Sequence, residues 1–154
     1  MIPASVLAEI ARHARATYPA ECCGLLLADE RGQMRFEPIP NVAGTASGAA
    51  TSARTQRDGY VMEPVALLRA LQATEEAGGR LWGIVHSHPD VGAYFSPEDK
   101  HMALGGGQEP LWPGVRYLVV SVRAGRVDGA RLYAWDASRL DFSEEDVPAM
   151  SSFS

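Results

Sequence analysis

The sequence predicts a mixed α/β domain, and three observations carry that prediction. An opening stretch repeats its apolar residues at helical spacing. Short apolar or alternating runs suited to strands recur at 22–28, 33–40, 81–88, 115–123 and 127–136. Segments with their own helix starts and stops lie between them, which gives the order α-β-β-α-β-α-β-β.

Ile2, Val6, Leu7 and Ile10 mark residues 3–17 as an amphipathic helix beginning near Pro3. Tyr18-Pro19 ends it, because the residue before a proline is pushed out of the helical region. The run "CCGLLLA" at 22–28 fits a strand buried on both faces. "DERG" is a turn, and "QMRFEPIP" at 33–40 returns as a hairpin partner. Residues 42–53, "VAGTASGAATSA", are small and polar without a period and read as a mobile loop. "YVM" at 60–62 is a brief strand. A helix follows from Glu63-Pro64 to Ala77, with proline at an N1-like position and Gly78-Gly79 at the stop. Its apolar face is expected on Val65, Leu68, Leu71 and Gln72. "LWGIVHSH" at 81–88 is a strand, 96–104 a helix and "GGGQEPLWPG" a loop. "VRYLVVSVR" and "VDGARLYAWD" then form two strands around "AGR". The domain is expected to occupy residues 1–140, and 141–154 to be an acidic, disordered tail.

A chain of 154 residues is long enough to close one core unaided. Hydrophobic residues make up 46% and charged residues 21%, the balance of a globular protein. A formal charge of −5 argues against a nucleic-acid partner, because phosphate binding needs a basic face. No run of eighteen apolar residues is present, so no membrane partner is expected. The N-terminus lacks a basic segment followed by a continuous apolar block, so it does not read as a signal peptide. Cys22 and Cys23 are adjacent, and a disulfide across one peptide bond is strained. A reduced, cytoplasmic protein is the simplest expectation.

The chemistry concentrates in "VHSHPDVGAYFSPED" at 85–99. Side chains alternate along a strand, so His86 and His88 point the same way, with Cα atoms about 6–7 Å apart. Two imidazoles so placed can converge on one ion, and Asp99, returning on the following helix, is the natural third ligand. Three protein ligands leave a position open for water, the arrangement of a catalytic zinc site. The bland reading is also open: His-x-His arises often by chance, and Ser96-Pro97-Glu98-Asp99 makes a good helix start on its own. The two are compatible, because a capped first turn is a rigid mount for Asp99. Glu21 weighs on the functional side. A charged residue at the mouth of a buried strand is costly without a partner or a task. A carboxylate beside an activated water can take its proton and later return it to a leaving amine.

The pattern Glu21 … His86-Ser87-His88-Pro89, six residues, Ser96, two residues, Asp99 resembles the JAMM motif of the JAB/MPN/Mov34 metalloprotease domains. "PAECCGLLLA", "GYVMEP" and "GIVHSHP…SPED" stand in the order of the small bacterial members, and the resemblance spans about residues 2–136. It implies a cytidine-deaminase-like fold, a mixed sheet flanked by helices. It implies zinc held by His86, His88 and Asp99, Glu21 as general acid/base, and Ser96 as a hydrogen-bond donor to the tetrahedral oxyanion. It further implies hydrolysis of a peptide or isopeptide bond after a Gly-Gly tail, releasing cysteine for example. The partner would be a ubiquitin-like or sulfur-carrier protein, and the enzyme a monomer or homodimer. Pairing of that tail with a sheet edge would supply affinity.

Other features have plainer readings. Cys22 and Cys23 suit core packing, His13 and His101 suit solvated helix surfaces, and Trp82 suits the core. Trp112 could wall a groove or anchor its loop. The competing function is a non-catalytic MPN-type scaffold, but such members typically lack the ligands that are all present here. A nucleoside deaminase would need H-x-E and P-C-x-x-C, and a thermolysin-type site H-E-x-x-H; neither occurs.

Overall fold

Strand β1 (Cys23–Ala28) is buried at every position, as a strand must be with neighbours on both sides and helices on both faces. In the computed structural model, which describes residues 1–45, 55–147 and 150, it pairs antiparallel with β2 (Met34–Ile39) and with β3 (Arg80–Pro89). Strand β3 runs parallel to β4 (Arg116–Arg123). Antiparallel pairs then add β5 (Arg126–Asp136) and β6 (Asp141–Glu145). The sheet order is β2-β1-β3-β4-β5-β6.

Alternation along the strands divides the core in two. Leu26, Val85, Leu118, Val120 and Val122 face helix α1 (Ala4–Thr17), which buries Val6, Leu7 and Ile10 against them. Cys23, Leu25, Leu27, Ile84 and Val119 face the other layer, built from α2 (Pro64–Glu76) and α3 (Pro97–Ala103). The result is a mixed sheet flanked by helices, as the sequence predicts. Gly24 is required where β1 meets β2: a Cβ there would lie 2.5 Å from the Phe36 ring and 2.7 Å from the Glu37 carbonyl oxygen.

Four expectations need correction. On α2, Val65 and Leu68 are exposed, and the inward side carries Leu67, Ala70, Leu71 and Thr74. Those four also sit at helical spacing, so the periodicity alone admits both faces. His13 is not solvated: it is half-buried beside Phe36, with ring centroids 5.6 Å apart, and burial lowers its pKa. The brief strand expected at 60–62 reduces to a single bridge between Met62 and Asn41, whereas Trp82 packs against the α1-side core as expected, partly buried, with the Arg116 guanidinium 5.0 Å from its ring centroid.

The fourth correction concerns 141–145, read from sequence as the start of the tail, which form β6. Their acids are partners rather than solvating charges. Glu145 bonds Arg116 at 2.8 Å, Glu144 pairs with Arg131 at 3.4 Å, and Asp141 with Lys100 at 2.9 Å. Phe142 is buried edge-on to Phe95 and Trp135, at 4.9 and 5.2 Å. The sheet therefore continues past residue 140, and Met150 is buried against the α1 side. Residues 46–54 of the expected loop, and 148–149 and 151–154 of the expected tail, lie outside the described residues.

Candidate metal centre

His86 and His88 leave β3 on the face of Ile84, toward α3, and Ser87 points the opposite way. There the Ser87 Oγ accepts from the Cys22 backbone N–H at 2.8 Å, and the Ser87 N–H donates to the Cys22 carbonyl at 3.1 Å. These bonds lock the entry of β1 against the end of β3. Glu21, one residue earlier, is thereby held at the mouth of the site, only 4% exposed. Its own backbone is fixed twice more: the N–H donates to the Gln56 carbonyl at 2.6 Å, and the carbonyl accepts from Asn41 Nδ2 at 2.9 Å.

Beyond β3 the chain turns at Asp90, whose φ of 61° lies in the left-handed region that aspartate tolerates. The Asp90 carboxylate accepts from the Tyr18 hydroxyl and the Ala124 N–H, both at 2.8 Å. Six residues on, α3 opens with a capping box. Asp99 N–H donates to Ser96 Oγ, and Ser96 N–H donates to Asp99 Oδ2, each at 3.0 Å. Glu98 and Asp99 also favour the positive end of the helix.

These elements bring together all the residues singled out from sequence. The His86 and His88 Nε2 atoms are 3.2 Å apart, and Asp99 Oδ2 lies 3.2 Å from the first and 3.3 Å from the second. Tetrahedral ligands at roughly 2.0–2.1 Å from zinc are about 3.3 Å from one another, so the triangle has the dimensions of one face of such a shell. Glu21, His86 and His88 each offer a ligand atom within 4.8 Å of the others, and this buried group can hold a metal ion. Ser96 and Glu21 line a common cleft of about 200 Å³ with His88 and Tyr94.

Neighbouring groups orient the ligands. His88 Nδ1 lies 3.0 Å from the Gly92 carbonyl, which can only accept, so Nδ1 carries the proton and the neutral ring turns the Nε2 lone pair into the triangle. Tyr60 stacks on His86 at 4.7 Å, and Tyr94 meets His88 edge-on at 5.2 Å. Burial works to lower the His88 pKa but is outweighed by the Asp99 hydrogen bond, the Gly92 carbonyl and the Asp99 and Glu21 charges, so the net shift is upward. Burial likewise drives Asp99 upward, yet the His86 charge and bonds from His86, His88 and Ser96 hold its carboxyl far below the usual range.

Two supporting residues escape sequence reasoning. Asn41, in "IPNV", spends its whole amide: Nδ2 donates to the Glu21 and Gly59 carbonyls, and Oδ1 accepts from Ala43 and Val61 N–H. Its signal is weak, since asparagine after a proline is an ordinary turn residue. Tyr60 stands in the quoted "GYVMEP" but has no sequence signal for stacking. Cys22 and Cys23 are buried, and the Cys23 thiol donates to the Ile39 carbonyl at 3.3 Å. Trp112 packs with Tyr60 and Leu67 on a separate apolar cavity. His101 is exposed on α3.

A family model described as prokaryotic homologs of the JAB domain matches residues 3–137. A desampylase of Haloferax volcanii is 31% identical over 119 residues, covering 76% of this chain and 73% of that protein. A probable TtuB-protein conjugate cleaving protease of Thermus thermophilus is 37% identical over 98 residues, and the match spans 64% of this chain and 59% of that protein. Among solved structures, a Salinibacter ruber protein aligns with a TM-score of 0.62 and 29% identity, over 94% of this chain and 88% of that one. A Desulfitobacterium hafniense protein shares the fold, with a TM-score of 0.67 and 24% identity over 93% and 87% of the two chains.

Proposed function

Since the chain belongs to the prokaryotic homologs of the JAB domain, we propose that it is a zinc-dependent hydrolase cutting after the glycine-ended tail of a ubiquitin-like or sulfur-carrier protein. The single observation that carries this reading is the triangle of His86, His88 and Asp99, with edges of 3.2–3.3 Å. In their neutral and ionised forms these atoms are mutually repelling lone pairs, which a divalent cation at the centre would satisfy. The two relatives whose names speak of removing or cleaving protein conjugates support the substrate class. Retention of the whole ligand set weighs against a non-catalytic scaffold.

His86, His88 and Asp99 would hold the ion, which supplies Lewis acidity and an activated water at neutral pH. Glu21, held by Asn41 and Gln56 beside the two imidazoles, would take the water's proton and deliver it to the leaving amine. Ser96 already accepts a hydrogen bond from the Asp99 N–H, so its hydroxyl keeps a proton to donate to the carbonyl oxygen as negative charge grows there. Glycines suit the tail because a bare backbone can pass close to these walls. The expected pairing with an open sheet edge gains no support: the edges are β2 and β6, and the site lies at the ends of interior strands β1 and β3. Loop contacts would have to seat the tail instead.

The test compares zinc-loaded wild type with Glu21→Gln on a ubiquitin-like carrier extended by one residue beyond Gly-Gly, read by intact mass. The variant should keep its zinc and fold while turnover drops about 10²–10⁴-fold. Replacing the carrier's two glycines by valines should abolish cleavage by blocking entry. Wild-type turnover in Glu21→Gln would remove it as the base, and equal cleavage of the valine carrier would indicate a general peptidase.

A further inference from the structure

The cleft containing Glu21, His88 and Ser96 is also lined by Arg57, the one lysine or arginine among its described lining residues. Arg57 follows Gln56 directly, and the Gln56 carbonyl is the acceptor that seats the Glu21 N–H. The arginine is thus mounted on the segment that positions Glu21. That segment is braced from two sides. The Gln56 side chain donates to the Asn41 carbonyl at 2.9 Å, and Asp58 caps the turn by accepting from the Thr55 N–H and hydroxyl at 2.7 and 3.2 Å. The Asp58 carboxylate is therefore folded onto its own turn, although it also lines the cleft. Glu98 stands on the wall formed by α3. The field of the guanidinium also reaches Tyr18, whose phenol pKa it acts to lower against the larger raising effect of Asp90.

We propose that Arg57 is a specificity-determining residue that binds the α-carboxylate of the released residue. The chain would then remove a single C-terminal amino acid in preference to cutting an isopeptide bond to a lysine side chain. This deepens the hydrolase reading above and rests on it. In the reaction water adds across the amide: a carbon–oxygen bond forms, the carbon–nitrogen bond breaks, and the amine leaves with the proton. A C-terminal leaving residue carries its carboxylate on the carbon next to that nitrogen, within reach of the walls of a cleft of about 200 Å³. Arg57 is exposed at the rim of the cleft, where its guanidinium can offer such a carboxylate paired donors. A lysine leaving through Nε has four methylenes at that place and no anion.

Three synthetic probes share one tail: Gly-Gly-Ala as the free acid, the same peptide as the C-terminal amide, and Gly-Gly joined to Nε of N-acetyl-lysine amide. With zinc-loaded protein, kcat/KM for the acid should exceed the other two by about 10–100-fold, the range of a charge-assisted hydrogen bond. Arg57→Gln should erase the preference through a fall in kcat/KM for the acid, and Arg57→Lys should restore part of it. A reduced-amide analogue of the acid, which cannot be hydrolysed, should bind wild type about tenfold or more tightly than Arg57→Gln by calorimetry. Equal cleavage of acid and amide by wild type, an undiminished preference in Arg57→Gln, or faster isopeptide cleavage would overturn the role of Arg57 and leave the hydrolase standing. Turnover of none of the probes would sink the hydrolase reading and this inference with it.

Discussion

At the scale of single residues, the proposed ligation by His86, His88 and Asp99 can be read by metal analysis. Purified protein should carry about one zinc per chain, and His86→Ala or His88→Ala should lose most of it, because two ligands hold zinc poorly. Unchanged zinc content in both variants would refute the assignment. Acidity should do the same reversibly, because protons compete for His88 from above its ordinary value of 6.5 downward. The metal-free protein should behave oppositely. A raised His88 pKa stabilises the fold fully below 6.5, and that contribution fades as pH rises through the folded value. A depressed Asp99 pKa stabilises it above 3.8, and that contribution is lost as pH falls toward the folded value. Chelator-stripped protein should thus lose Tm as pH rises above 6.5, while zinc-loaded protein should not. Asn41 acts through Glu21 and the backbone: Asn41→Ala should cost about 1–3 kcal/mol in denaturant melts by stranding the groups it bonds.

At the scale of elements, the start of α3 would serve both the fold and the proposed reaction with the same atoms. Ser96 caps the helix, and Asp99 closes the box with the oxygen that also faces the histidines. Ser96→Ala should therefore cost about 1 kcal/mol of stability as well as activity, and the two losses separate when turnover is measured well below the melting temperature. Strand β1 offers a test away from the chemistry. Gly24→Ala should destabilise by about 1–3 kcal/mol, because its methyl would press on Phe36 and the Glu37 carbonyl. An unchanged Tm would mean β2 can shift outward at no cost. Elements with a strong local signal were legible: α1 from its apolar spacing, α2 from Pro64 and Gly78, α3 from Ser96-Pro97. Strand β6 was not, because Glu144 and Glu145 look the same in sequence whether solvated or matched to Arg131 and Arg116. The inward face of α2 was equally hidden, since only the sheet beneath it chooses between Val65/Leu68 and Leu67/Ala70.

At the scale of the whole molecule, the two-sided core parts the two thiols from each other. Cys22 belongs to the α1 side and Cys23 to the α2 side, and both are buried. Burial pushes the Cys22 thiol up to about 11 and raises Cys23 further. Neither should react with a thiol reagent at pH 8 until the protein unfolds, and labelling should track the unfolding curve. Rapid native-state labelling of either cysteine would contradict this packing. No described helix is long and apolar enough to cross a membrane.

The sequence by itself determined the fold class, most element positions and the identity of the metal-ligand candidates, because each rests on local spacing: alternation in β3, a cap before α3, a charge beside an apolar strand. Only the tertiary structure decided that Glu21, 65 residues from His86 in sequence, meets it across the Cys22–Ser87 bonds. It also decided that Asn41 and Gln56 seat Glu21, and that Arg57 shares its cleft. The physical reason is that spacing along one element follows from bond geometry, whereas contacts between distant segments depend on which pairings bury and satisfy the most groups at once.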